Sequence, residues 1–147
     1  MKKFLSCLAI FMYAIVLTGC GDKTVVCSGD ITESGVTANV KVTGDFASNK
    51  LTKQTIEMEF DLTDYLEYAD IDTFYESFKT QYAQFDGYEG ISIKVSKGNN
   101  SIIVVMEIEL DKVDEKTYKQ LDLGDGDLEV SSKAFIKSFE DMKFTCK

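Results

Sequence analysis

Four carboxylates, Asp122, Asp125, Asp127 and Glu129, recur at spacings of two or three on a stretch that also holds Gly124 and Gly126. Oxygens so spaced on a glycine-containing loop can converge on calcium, a cation that takes six to eight oxygen ligands. The EF-hand spacing is not met, because no glycine follows at the sixth position and no glutamate closes the loop at the twelfth. A solvated acidic loop is the plainer reading, with calcium binding as the alternative. Two further acid rows, Glu57, Glu59, Asp61 and Glu107, Glu109, Asp111, alternate with apolar residues. Paired carboxylates act as acid and base in glycoside hydrolysis, but that chemistry needs a cleft and aromatic platforms, whereas strict alternation describes the wet face of a sheet. No G-x-S-x-G elbow is present to expose a serine nucleophile. The chain contains neither histidine nor arginine, which removes the Ser-His-Asp triad, the Cys-His pair, the imidazole metal ligand and the bidentate anion clamp. The expectation is a non-enzymatic chain with no catalytic residue, no bound metal and no cofactor.

Cysteine supplies the remaining chemistry. Lys2 and Lys3 precede an apolar run over residues 4–17, broken only by Ser6, and the run closes on small residues and Cys20. A charged start followed by a short apolar core is a secretory signal, too short and wrongly flanked for a stable membrane span. Residues 1–19 are therefore read as a removed signal peptide, 20–24 as a tether, and 25–147 as a single domain. An ordinary signal peptide, or a signal anchor that stays in place, are the competing readings. Cys7 leaves with the signal. Cys27 and Cys146 remain in an oxidising compartment, where a disulfide is the natural state and two free thiols the alternative. Closing a loop of about 120 residues stabilises by roughly 5 kcal/mol on chain entropy alone, an upper figure.

Leu17-Thr18-Gly19-Cys20 resembles the lipobox of bacterial lipoproteins. That likeness implies a diacylglycerol on the Cys20 thiol, cleavage just before it, and acylation of the new amino terminus, commonly with palmitate. One acyl chain binds a membrane marginally, and two or three bind it stably. The expected mature chain keeps 128 of the 147 residues, enough for one domain with a core. It loses Lys2 and Lys3, so the net charge moves from −9 to about −11. Repulsion on that scale disfavours nucleic acid and anionic headgroups, leaving cationic or uncharged partners such as an envelope protein.

The elements that must position these residues follow from periodicity. Residues 25–31 read as a first strand with Val25, Cys27 and Ile31 on one face. Val36, Ala38, Val40 and Val42 alternate with Thr37, Asn39, Lys41 and Thr43 in a second. Residues 44–49 read as a loop, and Ile56, Met58, Phe60 and Leu62 point inward on a third strand. The period then lengthens: Ile71, Phe74, Phe78, Tyr82 and Phe85 form a helix stripe, with Thr73 and Glu76 as a capping box and Gly87 at the end. Residues 91–96 and 101–110 make a hairpin, residues 114–121 a short helix, and Ser131 or Ser132 caps a last helix carrying Phe135, Phe139 and Met142. The outer charges alternate if successive strands are neighbours: Lys41, then Glu57 and Glu59, then Lys94, then Glu107 and Glu109. The predicted fold is α+β, an antiparallel meander of about five strands with two or three helices packed on one face.

With the lipobox, the strand pair around residues 50–55, the central helix, the hairpin and the short last helix, the chain resembles the YehR-type small bacterial lipoproteins over most of residues 20–147. The resemblance implies a membrane-anchored protein of a family whose function is unknown. It carries over only the lipidated position, Cys20. The Cys27 and Cys146 pair departs from the family pattern.

Overall fold

Alternation sorts this chain into a two-faced sheet before any helix is placed. The computed structural model describes residues 22–33, 35–85, 87–120 and 128–147, so the signal segment, Cys20, Asp122, Asp125 and Asp127 lie outside the described residues. Among the described residues there are six strands, β1 (Lys23–Glu33), β2 (Val36–Ala47), β3 (Lys50–Asp61), β4 (Ile91–Lys97), β5 (Ser101–Glu109) and β6 (Thr145–Cys146). The α-helices are α1 (Ile71–Tyr82), α2 (Glu115–Gln120) and α3 (Ser132–Asp141). The strands form one antiparallel sheet in the order β4-β5-β3-β2-β1-β6.

The register sets residues of one face abreast. Ile93, Met106, Ile56, Val42 and Cys27 make one transverse row, and Val95, Val104, Met58 and Val40 the next. Val42, Cys27, Val104 and Met106 are buried, as are Ile102 and Ile108 from the neighbouring rows of β5. The rings of α1 and α3 reach this layer: Phe78 meets Phe60 at 4.8 Å between centroids, and Phe135 meets Phe46 edge-on at 5.5 Å. Gly44 shows how closely α3 approaches, since a Cβ there would lie 3.0 Å from the Phe135 ring and 2.9 Å from Phe46.

The meander expectation needs correction. The sheet has six strands rather than five, and β3 pairs with β5, leaving β4 at the edge. The reason is the single helical traverse between β3 and β4. A chain that leaves one end of the sheet and crosses it once by helix re-enters at the other end, so β4 runs parallel to β3 and cannot pair with it as a hairpin would. The tight turn after β4 then returns β5 antiparallel to both, and β5 takes the place between them. Lys94 consequently lies opposite Val105 rather than among the β3 glutamates.

Smaller differences have local causes. β1 begins at Lys23, two residues inside the stretch read as tether. The loop read over residues 44–49 is mostly strand: β2 continues to Ala47, and Ser48 and Asn49 turn the chain with φ of 51° and 65°, the left-handed pair of a tight hairpin. A register shift at Asp45/Phe46 brings Leu51 to the buried side. The cap of α1 is Asp70, not the Thr73 and Glu76 box: its carboxylate accepts from the Thr73 amide at 2.8 Å and the Thr73 hydroxyl at 3.0 Å. Ser131 caps α3, accepting from the Ala134 amide. Ile31 and Met142, expected on apolar faces, are 46% and 55% exposed; Met142 is the cap residue past the last turn of α3.

Asp61, Asp70 and Asp114 are all held below the usual carboxylate range. Asp61 and Asp114 owe this first to the hydroxyls of Thr63 and Thr117 and then to the same residues' amides; Asp70 owes it first to the Thr73 amide and then to its hydroxyl. Each ionised form is favoured by folding, so its contribution is complete above the unfolded value of about 4 and is lost as pH falls through the lower native value. Thermal midpoints followed from pH 7 downward should therefore decline only below about pH 4. The decline should be shallower in an Asp70→Asn/Asp114→Asn variant.

Candidate functional site

The described residues of chemical interest lie in three places. The first is the end of the sheet where β1 starts, three residues after Cys20. Beside it Asp22, Lys23, Thr24, Asp45 and Thr52 line a polar depression of about 300 Å³. The Thr24 hydroxyl donates to Asp45 at 2.7 Å, and the Thr52 hydroxyl to the Asp45 carbonyl at 3.0 Å. These are the bonds of a strand end tying itself to the adjacent hairpin.

The second is the C-terminus. Cys27 and Cys146 face one another in register across β1 and β6 and are joined by a disulfide. Lys147 and Val26 exchange both backbone hydrogen bonds, at 2.8 and 3.0 Å. Phe144 seats its ring over Gly29, where a Cβ would come within 2.6 Å of it. A side chain at position 29 would force this ring to shift.

The third is the open face. Lys41 pairs with Glu57 at 3.4 Å and Lys53 with Glu107 at 2.9 Å, all four side chains half exposed. The Lys53 ammonium is held above its usual value, first by its hydrogen bond to Glu107. The Ser101 hydroxyl donates to Glu59 at 2.8 Å. Between β1, β2 and β3, the residues Ser28, Asp30, Asn39, Lys41, Glu57 and Glu59 line a shallow basin of about 380 Å³. The carboxylate rows read from the sequence thus do not converge. Glu57 lies opposite Val105 and Glu59 opposite Ile103, so the β3 and β5 acids are offset along the strands. Lysines of the adjoining strand take up Glu57 and Glu107.

Of the four acidic loop residues only Glu129 is described, and it accepts from the Lys50 ammonium at 3.0 Å. Asp122, Asp125 and Asp127 lie outside the described residues. Among the described residues no group of three or more His, Cys, Asp or Glu side chains could hold a metal ion. No described helix is long and apolar enough to cross a membrane. Sequence reasoning missed Asn49, whose side-chain oxygen accepts from both the Ser132 amide and hydroxyl and ties the β2–β3 turn to the start of α3. Its signal was present: Asn is the side chain that most readily takes a left-handed turn position.

Comparison with known proteins extends this picture. No protein-family model matches the chain. The chain is 24% identical over 121 residues to the uncharacterized lipoprotein Lmo0207 of Listeria monocytogenes, covering 82% of this chain and 77% of that protein. Its fold is similar to the solution structure of the Escherichia coli YehR protein, with a TM-score of 0.63, 15% identity, and coverage of 86% and 92% of the two chains. A Streptococcus pneumoniae protein solved by NMR is similar with a TM-score of 0.61 at 9% identity, covering 86% and 85%. These findings support the resemblance to YehR-like small lipoproteins of unknown function.

The bridge can be checked on the mature chain. Alkylation before reduction should modify neither Cys27 nor Cys146, and after reduction both, as read by intact mass. Cys146→Ser should lower the unfolding free energy in urea by at most roughly 5 kcal/mol.

Proposed function

We propose that this chain is an extracytoplasmic lipoprotein, held to the membrane by lipid on Cys20, whose α+β domain is a non-enzymatic envelope module that binds a ligand or protein partner. The observation that carries the reading is the Leu17-Thr18-Gly19-Cys20 motif set directly before β1, in a chain similar to a protein named a lipoprotein. Lipid on Cys20 leaves two residues, Gly21 and Asp22, before β1, a reach of at most about 10 Å from Cys20 to Lys23, so the strand would start close to the headgroups. Helices over one face leave the opposite, charged face and the sheet edges as the surfaces open to a partner. A net charge of about −11 keeps such a domain off an anionic bilayer, upright on its anchor.

The cation-binding alternative would draw on Asp122, Asp125, Asp127 and Glu129. Glu129 is already engaged by Lys50, which favours the first reading. Calorimetric titration with calcium should accordingly give no binding tighter than about millimolar, the weak end of extracellular calcium sites; a micromolar site would replace the leading proposal. Cys20→Ala should release the chain from membranes or leave its signal uncleaved, and should abolish labelling by radioactive palmitate. Continued labelling of that variant would remove Cys20 from the anchor.

A further inference from the structure

The two edges of the sheet are finished differently. At β1 the short β6 and the disulfide cover part of the edge. At the other side β4 is the last strand, seven residues long, with the sequence Ile91-Ser92-Ile93-Lys94-Val95-Ser96-Lys97. The direction of its backbone groups follows from two bonds at its ends. Gly98 donates to the Ser101 carbonyl at 2.8 Å, and Glu109 donates to the Gly90 carbonyl at 2.7 Å. Hydrogen-bonded pairs alternate along an antiparallel ladder, so Ser92, Lys94 and Ser96 bond to β5 while Ile93 and Val95 turn their N–H and C=O groups outward. Among the described residues no backbone partner meets those outward groups of Ile93 and Val95.

Side chains along the same edge are unfinished on both faces. On the apolar side, Ile108, Met106 and Val104 of β5 are buried, but their β4 partners Ile91, Ile93 and Val95 are only half buried. On the open side Lys41 pairs with Glu57 and Lys53 with Glu107 across the ladder, while Lys50 pairs with Glu129 from outside it. Lys94 shares the transverse row of Glu57 and Lys41, yet its β5 neighbour is Val105, and among the described residues it makes no ion pair. Backbone, apolar layer and charge pattern all stop one strand short at the same place.

We infer that β4 is a docking strand, onto which an extended segment of a partner protein adds as a seventh strand, with apolar residues beside Ile93 and Val95 and an acidic residue beside Lys94. Strand addition draws affinity from main-chain bonds and specificity from alternate side chains, and this edge supplies both. The inference names the binding surface of the module proposed above. The Cys20→Ala fractionation tests anchoring separately, so the two can fail independently. Lysines on an edge also serve to deter edge-to-edge association, and the experiment separates that role from docking.

The mature lipidated chain in zwitterionic nanodiscs is titrated with two end-capped peptides, one alternating valine and glutamate and one alternating valine and lysine. A chain carrying about −11 attracts the lysine peptide over its whole surface, so a preference for glutamate would have to come from a local site. The expected result is tighter binding of the glutamate peptide, by about fivefold at about 0.15 M salt, with new amide-exchange protection at Ile93 and Val95. Lys94→Glu should invert the preference. Val95→Pro removes an outward N–H and leaves the ladder to β5 intact, so it should abolish binding without altering the circular dichroism spectrum. No protection at millimolar peptide, tighter binding of the lysine peptide, or undiminished binding by a folded Val95→Pro would overturn the proposal. If Val95→Pro does not fold, inversion or its absence in Lys94→Glu decides.

Discussion

Burial of one face of the sheet governs the rest of this molecule. The rows through Cys27, Val42, Ile56 and Met106, and through Val40, Met58 and Val104, place apolar side chains from four strands at one depth. A slip of one residue in any strand would turn its whole apolar set to water. Each fully buried aliphatic side chain in the layer contributes roughly 1.5–3 kcal/mol relative to exposure, while the exposed ion pairs of the other face contribute under about 1 kcal/mol each. The charged face is therefore free to vary, and the apolar face sets register.

That register delivers the chain ends. Cys27 lies on the apolar face, and α3 crosses the same face with Phe135 against Phe46 before the chain turns through Lys143, φ 70°, into Phe144 and Cys146. Phe144 fits over Gly29 because that position has no side chain, and Cys146 arrives opposite Cys27. The disulfide at the middle of β1 holds the C-terminal strand to it, and β1 is in turn paired with β2 along its whole length.

The passage of α1 across the sheet has a different consequence. By returning the chain to its starting end it makes β4 parallel to β3, lets β5 fill the gap, and leaves β4 outermost. Its aromatic residues then lie against β4 and β5, and Phe78 and Tyr82 stack in succession with Phe85 from the turn that follows the helix. Cover from one face leaves the strand edge itself open. The same crossing strands Lys94 beyond the acidic rows that pair Lys41 and Lys53.

Local pattern alone determined which residues face inward in β2, β4 and β5 and over residues 56–60 of β3, and the apolar stripe of α1. It also narrowed the α3 cap to Ser131 or Ser132 and offered Cys27 and Cys146 as a pair. The reason is that period, capping chemistry and cysteine number are properties of short stretches or of composition. The signal segment with Cys20 and the acid loop were likewise legible only as patterns, and of the loop only Glu129 falls among the described residues, held by Lys50. Strand order, the offset of the acid rows and the open β4 edge were decided in three dimensions. They depend on which end of the sheet α1 returns to and on which strand then fills the gap, and alternation within a strand carries no record of its neighbour. Asn49 makes the same point at the scale of one side chain: its turn conformation was readable, but its hold on Ser132, 83 residues away, exists only once the β2–β3 hairpin and α3 have met.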